Sequence, residues 1–226
     1  MMRKLVPVVF VAALFFGRGA AGEVPDPDPG RFADAIAAFA MWDSKNAVPH
    51  DPLLFVGSSS IRLWPTARDF PGRPVVNRGF GGAELSDVAH YYERVIRPYA
   101  PSRVFLYAGD NDIAAGKSAA QVFEDFRNLA DRLARDFPGT ELVFISIKPS
   151  PARWTVWPTM QEANRLVAEY ASGREHLYFA DLATPLLDAD GRPKDVYVED
   201  GLHLNAAGYA LWQAALAPFV APEVNR

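Results

Sequence analysis

The sequence predicts an α/β domain in which helices cover both faces of a parallel sheet. Short apolar runs alternate with longer segments whose apolar residues recur at helical spacing, and the runs are mostly continuous, as expected of strands buried on both faces. Connections of about a dozen residues or more between successive runs favour parallel pairing. The predicted strands lie at 53–56, 75–76, 104–107, 142–147 and 177–180.

The composition narrows the possible chemistry. The chain has 226 residues, of which 50% are hydrophobic, and no cysteine. This length suits one domain with a full core, and no linker or internal repeat divides it. Disulfide scaffolds, thiolate metal sites and thiol nucleophiles are excluded. Any catalysis must therefore use oxygen and nitrogen groups.

Residues 1–22 have the pattern of a secretory signal peptide: the basic Arg3 and Lys4, an apolar run over 5–16 and then small residues. The run is shorter than the about 20 residues that span a bilayer, so we expect export to the periplasm or medium without stable membrane insertion. Cleavage would leave 20 basic and 27 acidic residues, a net charge of −7. This charge argues against nucleic-acid binding and favours a small or polymeric uncharged substrate.

The mature chain is predicted to begin with a tether over 23–30, where proline alternates with acidic residues, followed by one domain over 31–226. Helical spacing predicts helices over 32–42, 85–99 and 122–137, and Asn205 is a suitable N-cap for a last helix that ends before Pro218.

Polar and glycine-rich turns follow the first three predicted strands, at 57–60, 77–82 and 108–112. Ligands of open parallel sheets bind beyond the carboxyl ends of the strands. We therefore expect a serine cluster, a glycine-rich turn and an asparagine-bearing turn to meet at one edge of the sheet.

A serine nucleophile needs an imidazole base and a carboxylate that orients it. Two of the four histidines follow an aspartate by three residues. Asp87 and His90 belong to the polar stripe of a predicted helix, which indicates a solvated face. Asp200 and His203 lie in a loop before Asn205, from which they could return to the sheet edge. The remaining two, His50 and His176, are typical of surface turns.

Four ordered blocks resemble the SGNH hydrolases, also called the GDSL lipase and esterase family, and most closely its platelet-activating-factor acetylhydrolase-like branch. The blocks are 55–59, the turn at Gly81, 109–112 and 200–203. The resemblance implies a flavodoxin-like three-layer α/β/α sandwich with a five-stranded parallel sheet. It also implies ester hydrolysis without a metal or other cofactor.

The resemblance assigns Ser59 as nucleophile, His203 as general base and Asp200 as its orienting partner. It places the oxyanion hole at the backbone N–H groups of Ser59 and Gly81 and the side-chain amide of Asn111. The residue types agree, because a glycine allows close approach and an asparagine amide can donate.

The chain departs from the family where Ser58 replaces the usual aspartate. Three adjacent serines result, and only the register of the family pattern selects Ser59. The alternative is that these serines merely cap the following turn.

Substrate contacts are predicted at Ser58 and at three residues of the loop 148–157, namely Lys148, Arg153 and Trp154. The two cations could bind an anionic group of the substrate. The aromatic ring could stack on a sugar or line an acyl pocket. Packing of Trp154 and Trp157 within the loop is the alternative. Three further residues near the serine and glycine turns are expected to have structural roles: Arg62, Trp64 and Arg78.

The sequence thus predicts an exported serine esterase that acts on small acyl esters, with acetyl groups on carbohydrate as one substrate class and no protein partner assigned. An O-acyltransferase with the same acyl-enzyme, and a non-catalytic glycan- or lipid-binding protein, remain alternatives. The α/β-hydrolase nucleophile elbow does not fit, because Ile61 stands where that motif requires glycine.

Overall fold

A parallel sheet forms the middle layer of the computed structural model, which describes residues 22–221. Its order is β2-β1-β3-β4-β5, and every neighbouring pair is parallel. The strands are β1 Leu53–Gly57, β2 Val75–Gly79, β3 Arg103–Tyr107, β4 Glu141–Ile145 and β5 Leu177–Ala180. All five predicted strands are present.

Helices cover both faces of this sheet. In chain order they are α1 Ala33–Asp43, α2 Ser59–Arg62, α3 Thr66–Asp69, α4 Leu85–His90, α5 Tyr92–Val95, α6 Asp110–Ala114, α7 Ala119–Asp136, α8 Trp157–Ala171 and α9 Ala206–Val220. Short 3₁₀ helices lie at Pro29–Phe32, Arg97–Tyr99, Pro151–Val156 and Thr184–Leu186.

Alternate residues along the strands point to opposite faces of the sheet and pack in two separate hydrophobic cores. Leu54 and Val56 of β1 pack with α1, α4, α5, α7 and α8 in one core. Leu53 and Phe55 pack on the other side, with residues from α2 and α9. Because β1 is buried on both faces, its sequence is a continuous apolar run. The predicted three-layer α/β/α fold is confirmed.

Two helix predictions are wrong in detail. The segment predicted as one helix over 85–99 is divided into α4, α5 and a 3₁₀ turn that ends at Ala100, which has a left-handed φ of 39°. Asn205 caps α9 as predicted, with its side chain accepting from the Gly208 N–H. However, α9 continues through Pro218 to Val220.

Asp87 is buried, contrary to the prediction that it lies on a solvated face. Its side chain is 1% exposed, and its Oδ2 accepts from the Glu84 N–H at 2.8 Å and from Arg31 at 2.5 Å. Burial raises the pKa of Asp87, and these two donors oppose the shift. Asp87 therefore closes the start of α4 and anchors the N-terminal segment, whereas His90 is exposed.

The predicted tether is docked on the body of the protein. Asp26 pairs with the buried Lys117 at 2.5 Å, and Gln121 donates to the Val24 carbonyl at 3.2 Å. Nearly all of the predicted signal segment, 1–21, lies outside the described residues. Within 22–221, no helix has the length and apolarity needed to cross a membrane.

The turn after β1 depends on Gly57. Its φ is +132°, and a Cβ at this position would overlap the carbonyl oxygen of Tyr107 on β3. Only glycine therefore allows β1 and β3 to stay paired up to the point where the serine cluster begins.

We expect Gly57→Ala to lower the free energy of unfolding by at least about 3 kcal/mol, because it combines backbone strain with a backbone clash. Urea denaturation measures this change. Gly72→Ala is the matched control, since Gly72 has φ +78° with no atom within 4 Å of the added Cβ. It should cost only about 1 kcal/mol. Equal effects of the two substitutions would contradict the steric argument.

Candidate active site

The carboxyl ends of β1, β2 and β3 bring three turns together. Ser59 begins α2 directly after β1, the glycine-rich turn follows β2, and Asn111 lies at the start of α6 after β3. Backbone hydrogen bonds tie these turns to one another: the Ser58 N–H donates to the Tyr107 carbonyl, and the Phe80 N–H donates to the Gly57 carbonyl, both at 2.9 Å.

Ser59, His203 and Asp200 form a continuous hydrogen-bonded chain. The distance from Ser59 Oγ to His203 Nε2 is 2.9 Å, and that from His203 Nδ1 to Asp200 Oδ2 is 2.5 Å. With the proton on Nδ1 donated to Asp200, Nε2 is free to accept the proton of the serine hydroxyl. The arrangement can therefore activate Ser59 as a nucleophile.

Backbone donors keep Asp200 ionised. The N–H groups of His203 and Leu202 donate to its Oδ1 at 2.9 and 2.8 Å. These donors and the His203 side chain lower the pKa of Asp200 to about 2, with the His203 N–H as the largest cause. The carboxylate is thus charged at neutral pH and can accept the hydrogen bond from His203 Nδ1.

The loop that carries His203 is held on two sides. The Val198 N–H donates to the His203 carbonyl at 2.9 Å, and the Ala152 N–H donates to the Gly201 carbonyl at 3.0 Å. Gly201 has φ +62°, which suits glycine. These contacts place the imidazole over the carboxyl end of β1 although 144 positions separate His203 from Ser59.

The environment distinguishes the three adjacent serines. Ser58 is fully buried and Ser60 is 1% exposed. The Ser58 hydroxyl lacks a hydrogen-bond partner among the described residues, and the Ser60 hydroxyl lies near the buried hydroxyl of Tyr107. Ser59 is half-buried and alone contacts the imidazole. The buried position of Ser58 contradicts the prediction that it contacts substrate.

The side-chain amide of Asn111 is held in one orientation. Its Nδ2 donates to the Ala83 carbonyl at 2.9 Å, and its Oδ1 accepts from Arg153 at 2.8 Å. Arg153 also pairs with Asp110 Oδ2 at 3.0 Å. Because both amide ends are occupied, the second N–H of Nδ2 has a fixed direction and remains available to an acyl oxygen.

The two cationic residues predicted to contact substrate, Lys148 and Arg153, instead lie against Asp110. Lys148 is 1% exposed and lies 3.9 Å from Asp110, and burial lowers its pKa to about 8 while Asp110 opposes the shift. Lys148 therefore does not reach a substrate, contrary to the prediction. Arg153 holds Asp110 and Asn111, a positioning role that the sequence analysis did not predict, although both partners lie in one of the four motif blocks.

The aromatic residues of the same loop pack together. The ring of Trp154 stacks on that of Trp157 at 6.2 Å between centroids, and Arg192 lies 5.2 Å from the centre of the Trp154 ring. Trp157 is buried and Trp154 is half-buried. The alternative of loop packing therefore accounts for Trp157, and Trp154 keeps a partly accessible face.

Structural roles are found for Arg78, which lies within β2, and for Trp64, which follows α2. Arg78 is buried and contacts Asp43 and Tyr99, and Trp64 is buried and donates to Asp69 at 3.0 Å.

Over residues 22–221, no group of three or more His, Asp or Glu residues could hold a metal ion. A cavity of about 390 Å³ lies at the opposite end of the sheet, near Leu142 and Leu177 at the amino ends of β4 and β5.

Comparison with known families agrees with this arrangement. The model of the GDSL-like lipase/acylhydrolase family matches residues 62–211, about two thirds of the chain. The chain belongs to this family. It is therefore a hydrolase of the esterase type. The matched region includes Asn111, Asp200 and His203 but begins three positions after Ser59, so the case for Ser59 rests on its contact with His203.

Solved structures with the same fold span nearly the whole domain. A protein from Streptococcus pneumonia, provisionally described as a platelet activating factor, is 25% identical with a TM-score of 0.76, over 84% of this chain and 92% of that one. A GDSL-like lipase from Bacteroides thetaiotaomicron is 19% identical with a TM-score of 0.67, over 85% and 97%.

A variant of an acetyl-xylooligosaccharide esterase from Geobacillus Stearmophilus is 15% identical with a TM-score of 0.62, over 80% of this chain and 99% of that one. At this identity, the likeness shows the shared fold. No protein of curated function matches the chain in sequence.

The contact between Arg153 and Asn111 leads to a prediction for catalysis. We expect Arg153→Met to lower kcat for ester hydrolysis about tenfold with little change in KM, because an amide held only by the Ala83 carbonyl is less well oriented and loses part of its stabilisation of the transition state. Steady-state kinetics with p-nitrophenyl acetate measure the change.

A double variant separates positioning from general damage to the fold. In an Asn111→Ala background, Arg153→Met should cause little further loss of kcat, because the group it positions is already absent. Fully additive losses would contradict the positioning role of Arg153.

Proposed function

We propose that this protein is an exported serine esterase that hydrolyses acetyl and other small acyl esters, with acetylated carbohydrate as a candidate substrate, through an acyl-Ser59 intermediate. The observation that carries the proposal is the 2.9 Å contact between Ser59 Oγ and the imidazole that Asp200 orients. The segment 1–22 supports export through its signal-peptide pattern.

In the first half of the proposed reaction, Ser59 Oγ attacks the ester carbonyl carbon while His203 Nε2 takes the serine proton. The negative charge that develops on the carbonyl oxygen is stabilised by the N–H groups of Ser59 and Gly81 and by Asn111 Nδ2. The tetrahedral intermediate then breaks its bond to the alcohol oxygen, which receives the proton from His203. The alcohol departs and the acyl group stays on Ser59.

In the second half, water attacks the acyl carbon and gives a proton to His203 Nε2. Collapse of the second tetrahedral intermediate breaks the bond to Ser59 Oγ, which regains its proton. The acid product leaves and the enzyme returns to its starting state. Asp200, whose pKa is lowered to about 2, remains ionised through both halves and stabilises the imidazolium each time.

The exposure of the proposed triad favours water as the acyl acceptor. The side chain of Asp200 is 46% exposed and that of His203 is 24% exposed. Transfer to a second alcohol requires that the site disfavour competing water, which an open site does poorly. Hydrolysis is therefore better supported than O-acyl transfer, and the Ser–His–Asp contacts favour an enzyme over a non-catalytic binding protein.

The open site also suits a large alcohol half, because a polymer can approach Ser59 without entering a deep pocket. The Geobacillus esterase with the same fold is described as acting on acetyl-xylooligosaccharides. Activity on acetylated xylan measures the preference for the alcohol half of the ester. Activities on the acetyl, butyryl and octanoyl esters of p-nitrophenol measure the preference for the acyl half. We expect the octanoyl ester to be the poorest substrate in this panel.

Removal of the Ser59 hydroxyl tests the proposed nucleophile. We expect Ser59→Ala to lower kcat for p-nitrophenyl acetate by about 10³-fold or more, because no acyl-enzyme can form. Ser60→Ala is the matched control, since the Ser60 hydroxyl is buried and, within residues 22–221, only the Ser59 hydroxyl is hydrogen-bonded to His203. A fluorophosphonate probe should label the parent and Ser60→Ala but not Ser59→Ala. Labelling that persists in Ser59→Ala would overturn the assignment.

Removal of the Asn111 amide tests the proposed oxyanion hole. We expect Asn111→Ala to lower kcat about 10²-fold while the probe still labels Ser59 slowly, because the nucleophile and base remain. Unfolding curves check that the fold is intact. A loss below about threefold in a folded variant would remove Asn111 from the hole.

A further inference from the structure

Arg62 lies beside the proposed oxyanion hole. It is the last residue of α2, three positions after Ser59. A Cβ built on Gly81 would be 3.0 Å from Arg62 Nε and 3.2 Å from its Nη2, so the guanidinium rests against the backbone of Gly81. The absence of a side chain at Gly81 gives the guanidinium this position, against a proposed donor of the oxyanion hole.

The charge of Arg62 is not balanced by a neighbouring carboxylate. Three other cations near this edge of the sheet each lie within 4 Å of an aspartate oxygen, namely Arg78, Arg153 and Lys148. Across residues 22–221, the Arg62 side chain has no hydrogen bond or ion pair, and it is exposed to solvent. Among the described residues, Arg62 is thus an unpaired guanidinium that lies against Gly81, one of the proposed oxyanion donors.

A guanidinium in this setting suits an anionic ligand. Its planar N–H groups match the oxygens of a carboxylate or a phosphate in a bidentate arrangement, and such charge-assisted bonds are stronger than neutral ones. The oxyanion itself already has three proposed N–H donors. The natural partner of Arg62 is therefore a separate charged group of the substrate.

We propose that Arg62 is a specificity-determining residue that selects esters whose alcohol half carries a carboxylate or phosphate close to the ester oxygen. The inference rests on the proposed function, because a small acyl group such as acetyl cannot itself carry the anion. The net charge of −7 expected for the mature chain predicted an uncharged substrate. At physiological ionic strength, charges further away than about 8 Å are largely screened. The charge of Arg62 therefore outweighs the net charge of the chain for a ligand bound beside it.

Paired substrates that differ in charge test the proposal. The carboxylate pair is 3-acetoxybenzoate and its methyl ester, and the phosphate pair is 3-acetoxyphenyl phosphate and its dimethyl ester. The readout is the ratio of kcat/KM for the anionic substrate to that for its neutral partner. We expect Arg62→Met to lower this ratio about tenfold, mainly through KM. Arg62→Lys should retain part of the preference, because it keeps the charge but loses the bidentate geometry.

Two controls separate recognition from support of the glycine turn. Arg94→Met removes another exposed arginine without an ion pair in the described part of the chain, and it should leave the ratio unchanged. In the parent protein, 0.5 M NaCl should lower the ratio, and in Arg62→Met it should have little further effect. A merely structural role of Arg62 would change both substrates of a pair equally, and this result would overturn the proposal.

The outcomes also separate this inference from the proposed function. An unchanged ratio in Arg62→Met together with an inactive Ser59→Ala would overturn the role of Arg62 and leave the esterase assignment standing. Full activity of Ser59→Ala would overturn the proposed function itself. A third pair, mono-p-nitrophenyl succinate and its methyl ester, carries the charge in the acyl half. If Arg62→Met lowers the anionic-to-neutral ratio of kcat/KM for this pair alone, the assignment of the anion to the alcohol half is overturned.

Discussion

The close approach of β1 and β3 at their carboxyl ends is the constraint on which the rest of the site depends. Gly57 turns at a positive φ against the carbonyl of Tyr107, where a Cβ would overlap it. This approach lets the Ser58 N–H bond to β3 and directs Ser59 out of the sheet into α2. Gly109, with φ +114°, makes the corresponding turn into α6, which carries Asn111. Two glycines thus aim two polar residues at one point.

Charge is arranged around this point in two ways. Behind the site, the charged groups are largely buried and paired: Lys148 and Arg153 share Asp110, and Lys117 lies beside the buried Glu84 and Asp112. Such pairs are costly to break and therefore hold loops in defined positions. At the surface, Asp200 is exposed yet kept ionised by backbone donors. The buried pairs set the geometry of the site, while the exposed groups face the solvent from which a substrate arrives.

Local patterns predicted some elements well and others poorly. The continuous apolar strands and the Asn205 cap were predicted because burial on both faces and capping leave direct marks on neighbouring residues. Asp87 was predicted wrongly because its polar neighbours along the helix suggested solvent. Its true partner, Arg31, is 56 positions away in the chain. The roles of Lys148 and Arg153 were missed for the same reason, since a cation near a strand end looks alike whether it faces substrate or Asp110.

The sequence by itself determined the fold class, the strand positions and the four motif blocks, because each depends on residues that are close together in the chain. Which of the three adjacent serines is accessible was decided only by the tertiary structure, which buries Ser58 and Ser60 and leaves Ser59 against His203. Burial and pairing depend on what distant segments bring to the same place. For this reason the free guanidinium of Arg62 became visible only when its neighbours were known.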